Sequence, residues 1–295
     1  MSELTDVVVR SGPRPVTSRP SVGFVKLSLA AMLLLLCASW YSILTSKRLQ
    51  ASGFFNAETL DRAWSFLKDL SGASSDATPA FLVWDQWTDK ALLALDTLAM
   101  SVLAIAIAGA IAGVLCIFGA SNVMLGSLAP YGSLLSKLQF GATRAFFTLT
   151  RAIPELVWAM IVVFAFTPGI LPGAIALGLH NAGVLGRLGA EVVEGLDPRP
   201  MRSLQSAGAS RWQVLLYGVA PEALPRFVTY LFYRWEVIIR TTVVVGFVSA
   251  GGLGTDFRLA MSFFRYTEIT LIIFWYLLIV LLVDFAAGYM RRLAE

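Results

Sequence analysis

Apolar residues in this chain gather into long runs set apart by shorter polar stretches. A hydrocarbon core of roughly 30 Å needs about 20 apolar residues when crossed as a helix, so each run predicts a span. Phe24–Leu44 is the first, with Lys26 as its only charge. Ala91–Phe118 is the second, interrupted by Asp96 near its outer end. The third, Leu138–Phe166, holds Arg144, Arg151, Pro154 and Glu155 and is the weakest by hydropathy. An uncharged turn, Thr167–Gly173 (TPGILPG), leads into the fourth, which ends near Ala190 and carries His180 and Asn181 in mid-run. Phe227–Ser249 is the fifth and Ile269–Met290 the sixth. The pattern predicts an all-α, polytopic membrane protein with about six transmembrane helices.

The polar stretches give the topology. Residues 1–21 read as a disordered cytoplasmic tail with Arg10, Arg14 and Arg19. Residues 22–45 then form an N-terminal transmembrane helix, too long for a signal-peptide core; cleavage would leave the later topology unchanged. Residues 46–90 are an extracytoplasmic segment, in which Leu60–Leu70 suits an interfacial helix bearing Trp64. Residues 91–293 form the main transmembrane domain. Six spans put both termini, the 121–137 turn and the 191–225 loop with Arg199, Arg202 and Arg211 on one side, as the positive-inside rule requires. Ala250–Glu268 falls outside.

Composition agrees. The 295 residues are 57% hydrophobic and 14% charged, with mean hydropathy +0.72, against about 25% charged in a soluble domain. The net charge of +4 speaks to orientation and not to nucleic acid. Cys37 and Cys116 lie in apolar runs and read as neither disulfide nor metal ligands. No G-x-x-x-x-G-K-[ST] phosphate loop occurs, so any ATP is hydrolysed by a partner chain.

The polar stretch Met201–Pro225 reads as two short helices meeting at Gly208. Pro198 and Pro200 suit a helix start, and glycine suits the left-handed residue that ends one. Ser210 and Gln213 have capping-box spacing for the second helix. Pro221 and Pro225 are expected to redirect the chain into the fifth span.

Charges inside spans cost about 2.5–3.5 kcal/mol or more each and face a cavity or a partner. Glu236 and Arg240 are four apart and able to pair. Two readings stand: Arg240 contacts an anion or a gate in a water-filled pathway, or the pair locks helices together. Arg234 reads as an interfacial side chain that snorkels. Arg151 and Glu155 flank Pro154 at the same spacing, as a kink with a salt bridge or as pathway lining next to Arg240. Val245–Gly254 (VGFVSAGGLG) is a flexible turn or, through its consecutive N–H groups, an anion nest. His180, the only histidine, suits a hydrogen bond between helices better than a metal site.

These stretches resemble a known family. ABC-importer permeases carry a cytoplasmic loop E-A-A-x3-G-x9-I-x-L-P. Gly208 and Pro221 match its glycine and proline, whereas Arg202-Ser203-Leu204 and Gly218-Val219-Ala220 replace E-A-A and I-x-L. Tyr233–Arg240 (YRWEVIIR), Val245–Gly254, Arg151–Ala159 (RAIPELVWA), Gly208–Arg211 (GASR) and His180 with Gly183 and Glu191 resemble the phosphonate-type, PhnE-like branch over about Ala91–Leu293. The resemblance implies a MetI-like type I importer core. Arg202, Ser203, Leu204, Ala207, Gly208, Ala209, Ser210 and Arg211 would form the ATPase-coupling element. Arg151, Pro154, Glu155, Glu236, Arg240, Gly251 and Gly252 would line the pathway or gate.

The expected function is that of a multi-pass permease in a bacterial cytoplasmic membrane, importing phosphonate, phosphate or a similar oxyanion. Expected partners are a second copy of the chain, two cytoplasmic ATPase subunits holding ATP and magnesium, an extracytoplasmic binding protein and membrane lipid. No cofactor or metal is expected on this chain. An amino-acid or methionine-type permease is the near alternative. A self-contained carrier leaves the 191–225 loop without a task, and an intramembrane enzyme lacks a nucleophile and base.

Overall fold

The computed structural model describes residues 22–45, 56–74, 78–126 and 134–294, and every regular element among them is helical. The expected tail, 1–21, lies outside the described residues, as do 46–55, 75–77 and 127–133. The chain divides into two units, Met1–Phe66 and Leu67–Glu295.

The first unit contains α1 (Val22–Thr45) and most of α2 (Ala57–Leu70). Helix α1 is apolar on all sides, with Leu27, Leu34, Leu35 and Trp40 exposed, the mark of a helix surrounded by lipid. Helix α2 is amphipathic, buries no residue, and places Glu58 in its first turn and Lys68 in its last, matching the helix dipole. It is the helix expected within the 46–90 segment.

The second unit is built on α3 (Trp84–Gly119), α5 (Leu134–Ala152), α6 (Glu155–Ala165), α7 (Ile170–Glu194), α8 (Pro198–Ser206), α9 (Arg211–Val214), α10 (Ala220–Val245), α11 (Gly252–Ser262) and α12 (Tyr266–Ala294). A single turn, α4 (Ser121–Met124), follows α3. Helices α3 and α7 form the centre, and their contact is made by small residues. Ala104, Ala108 and Ala112 of α3 and Ala174, Gly178 and Ala182 of α7 are all buried, and Cβ atoms at Gly178 and Gly189 would lie 2.8 Å and 2.9 Å from Ile107 and Cys116 of α3. Lipid supplies no hydrophobic drive between helices, so close approach through small side chains holds them. At Gly183 a Cβ would lie 2.1 Å from Thr150 Oγ1 and 2.9 Å from the Phe147 carbonyl oxygen, because α5 and α7 meet backbone to backbone. Gly183→Leu is therefore expected to cost at least about 1–3 kcal/mol by overpacking. Permease recovered from the membrane should fall sharply, as immunoblotting of membrane fractions would show.

The span count differs from the expected six. Three described helices, 23–45, 84–119 and 266–294, are long and apolar enough to cross a membrane, or up to five if each bent pair counts as one span. The expected fourth span corresponds to α7, which is 25 residues long but not among them. Its neighbours cover it, so lipid imposes no demand for apolar side chains on that helix. The third span is not one kinked helix: α5 and α6 meet at 95° around residues 153–154. The expected outside segment after Ala250 is largely α11, whose Leu253 and Ala260 are buried with Ile269 and Ile272 of α12.

Candidate functional site

The loop at 191–225 is more ordered than a linker. Asp197 caps α8 by accepting the Arg199 N–H at 3.0 Å, with Pro198 in the first turn. At the other end Gly208 has φ +85°. Gly208 N–H donates to Gln205 O and Ala209 N–H to Leu204 O, both at 3.0 Å; this is the Schellman arrangement that closes a helix on a left-handed residue. Ser210 then caps α9 through a capping box with Gln213, as its spacing predicts. Met201 is fully buried among Val192, Val193, Leu196, Val214, Val219 and Ala223. One apolar pin thus seats α8 on the bundle. Arg202, Ser203, Ala207, Gly208, Ser210 and Arg211 are left exposed, while Leu204 and Ala209 are half-buried. A shallow hollow of about 340 Å³ opens over Leu204, Ala207, Gly208, Ala209, Gln213 and Tyr217.

Pro221 and Pro225 do not redirect the chain. Helix runs from Arg211 to Val248, with Pro221 in the first turn of α10 and Pro225 within it. A widened turn at Leu215–Val219, in which Ala220 N–H reaches back to Leu215 O, precedes them. The extra residue in that turn absorbs the bonds that proline cannot donate. Helix α9 is therefore the head of the fifth span. Behind α8, Arg144 of α5 donates to Gly119 O at 2.7 Å and pairs with Glu194 at the end of α7, and Glu194 also accepts Ser121 N–H at 2.7 Å. This clamp joins the ends of α3 and α7 to the middle of α5.

The in-membrane charges pair differently from the expected i,i+4 partners. Glu236 binds Arg291 of α12, and Arg240 Nη2 lies 2.8 Å from both oxygens of Asp284, also on α12. The two pairs fix the antiparallel register of α10 and α12. Arg151 is exposed and is separated from Glu155 by the break at Pro154. Glu155 instead faces His180 Nε2 at 3.4 Å and Arg234 Nη2 at 4.0 Å. Arg234 does not snorkel. Its side chain is 15% exposed, and its Nε donates at 2.9 Å to Asn181 Oδ1, which also accepts from Nη2. His180 Nδ1 meets the Ile153 carbonyl at 3.0 Å, so the histidine does bond between helices, at the carbonyl that the break frees.

The glycine run keeps its unusual backbone but not an open nest. Gly251 and Gly252 have φ +89° and +66°. The Gly251 N–H donates to Thr255 Oγ1 at 3.0 Å and the Leu253 N–H to Thr97 Oγ1 at 2.9 Å. Those donors are already satisfied, and the run serves to start α11 against α3. Sequence reasoning missed Thr97 and gave Asn181 no role. A polar Asn beside His180 in an apolar run was the available signal for the latter.

The fold is thus that of a many-helix membrane protein with a capped, exposed helical elbow fused to a charged span. Residues 122–295 match the family model of the binding-protein-dependent transport system inner membrane component. The phosphite transport system permease protein PtxC of Stutzerimonas stutzeri is 35% identical over 240 residues, covering 81% of this chain and 82% of that one. The phosphate-import permease protein PhnE of Mycolicibacterium smegmatis is 32% identical over 202 residues, covering 68% of this chain and 36% of that longer protein. The inward-facing MetNI methionine ABC transporter shares the fold at TM-score 0.56 and 19% identity, over 68% of this chain and 94% of that one. The chain belongs to the binding-protein-dependent transport permease family and is a multi-pass permease subunit of an ABC importer.

Proposed function

We propose that two copies of this chain form a pathway that imports a phosphorus oxyanion delivered by an extracytoplasmic binding protein. Two cytoplasmic ATPase subunits would hold the ATP and magnesium, while this chain holds no cofactor. They would engage the exposed surface of α8 and the elbow, from Arg202 to Arg211, which places both termini in the cytoplasm. The observation that carries the reading is the unbroken helix from Arg211 to Val248. It joins the elbow to the stretch with Arg234, Glu236 and Arg240, so a push at Gly208 is delivered to the spans as rigid-body motion. The relatives' substrates, phosphite and phosphate, support the solute class, and arginines in a low-dielectric pathway favour an anion.

The test is reconstitution in lipid vesicles with a partner ATPase and an extracytoplasmic binding protein. ATP turnover and uptake are expected to rise with phosphite, phosphate or methylphosphonate on the binding protein. Uptake by the permease alone, without any ATPase, would overturn the reading. So would a complex that none of the three solutes stimulates.

A further inference from the structure

One carboxylate is shared beside the break between α5 and α6. Arg234 of α10 and His180 of α7 both approach it, Glu155, at 4.0 Å and 3.4 Å. Arg151, exposed on the last turn of α5, adds a further guanidinium. Glu155 also stands in the first turn of α6, where the helix dipole adds positive potential. The ring of His180 points the same way. Nδ1 faces a carbonyl oxygen, which only accepts, so that nitrogen carries a proton. Nε2, on the other side of the ring, lies 3.4 Å from Glu155 Oε1.

The pairing is also loose. Arg234 spends its Nε and Nη2 donors on one neutral amide oxygen, Asn181 Oδ1. Its approach to Glu155, 4.0 Å, is Coulombic and too long for a hydrogen bond. Asn181 is fully buried and held by donating to Leu177 O at 2.8 Å, so it fixes the guanidinium plane without neutralising it. Glu155, His180 and Arg234 keep 19%, 13% and 15% of their side-chain surface. Pro154, Leu156, Tyr230 and Tyr233 beside them are exposed. A charge held in a span without a close partner costs about 2.5–3.5 kcal/mol or more, and an arriving anion offsets that cost.

We propose that Arg234 and His180 form an oxyanion-contact site within the membrane, and that Glu155 is the resident counter-ion a phosphorus oxyanion displaces. The proposal rests on the solute class given above. A guanidinium fork matches two oxygens of a tetrahedral phosphorus anion, and the imidazole donates to a third. Once the solute passes, Glu155 returns to Arg234 and His180.

The experiment follows phosphite binding by phosphorus NMR on the purified permease–ATPase complex in lipid discs. Glu155→Gln removes the competing carboxylate and is expected to tighten binding by about tenfold or more. Arg234→Gln is expected to weaken it by a similar factor, the change carried by one hydrogen bond to a charged group; Arg234→Lys should fall between. A cluster that only holds helices together predicts the same direction for both neutral variants. That result, or no change in either, would overturn the site. If Arg234→Gln fails to co-purify with the ATPase, Glu155→Gln still decides, because binding that does not tighten refutes the displacement. Uptake by the wild-type assembly separates the levels: no phosphorus oxyanion uptake removes the proposed function, whereas normal uptake with unresponsive variants removes this site alone.

Discussion

Gly208→Val is expected to leave the permease in the membrane and to abolish the rise in ATP turnover that loaded binding protein provokes. The expectation comes from backbone and not from crowding. No atom lies within 4 Å of a Cβ built at this position, yet φ is +85°. A β-branched residue held there costs about 1–3 kcal/mol. The chain escapes that cost only by reopening the Schellman closure, in which Gly208 and Ala209 N–H groups hold Gln205 and Leu204. Helix α8 then loses its fixed angle to α9 while Met201 still anchors it. A shift of 1–3 kcal/mol changes a two-state equilibrium by about 5- to 150-fold, which is enough to separate ATP hydrolysis from movement of α10. Gly208→Asn is the control, since asparagine tolerates the left-handed region, and should keep most of the coupling. Stimulated turnover in the valine variant equal to wild type would show that the elbow is not the lever.

That elbow was legible in the sequence because its signals are local. A glycine closure and a Ser–x–x–Gln box act within three to five residues, so spacing alone sets them. The same holds for α2, whose amphipathic pattern lies within 14 residues. The pairing of charges was not legible. Glu236 and Arg240 satisfy the i,i+4 rule, but their partners are Arg291 and Asp284, about 50 residues away. Between packed helices a partner on the facing helix outcompetes a pair along one face. The break at Pro154 hid the site for a related reason. Arg151 and Glu155 share a helix face only if the helix continues, and the 95° turn between α5 and α6 sends Glu155 towards His180 and Arg234. Apolarity likewise miscounts α7, because a central helix is surrounded by protein and not by lipid.

The far end of the bundle carries the largest expected effect on stability. Lys90, in the second turn of α3, is 5% exposed. Its Nζ lies 2.7 Å from Asp256 Oδ2 of α11 and hydrogen-bonds Glu268 Oε2 of α12 at 3.1 Å. Arg265 reaches Glu268 as well, at 3.0 Å, but its side chain is 45% exposed. One buried ammonium therefore ties three helices together, and it separates two carboxylates that would otherwise repel. Lys90→Met is expected to cost about 3–5 kcal/mol, since removing one partner of a buried pair strands the other charge. Asp256→Asn should be milder, because Lys90 keeps Glu268. Adding Asp256→Asn and Glu268→Gln to Lys90→Met should recover much of the loss, since no buried charge is then unpaired. Thermal unfolding of the detergent-purified permease, followed by size-exclusion chromatography, checks that order. Lys90→Met melting with wild type would mean that solvent already screens the triad. About 30 residues of continuous helix separate Lys90 from the clamp at Gly119, roughly 45 Å at 1.5 Å per residue. Substitution at the triad thus loosens the end of α3 opposite the clamp. The pin at Met201 and the Arg144–Glu194 pair would stay in place, so proteolysis should nick near residues 250–268 before it reaches 198–214.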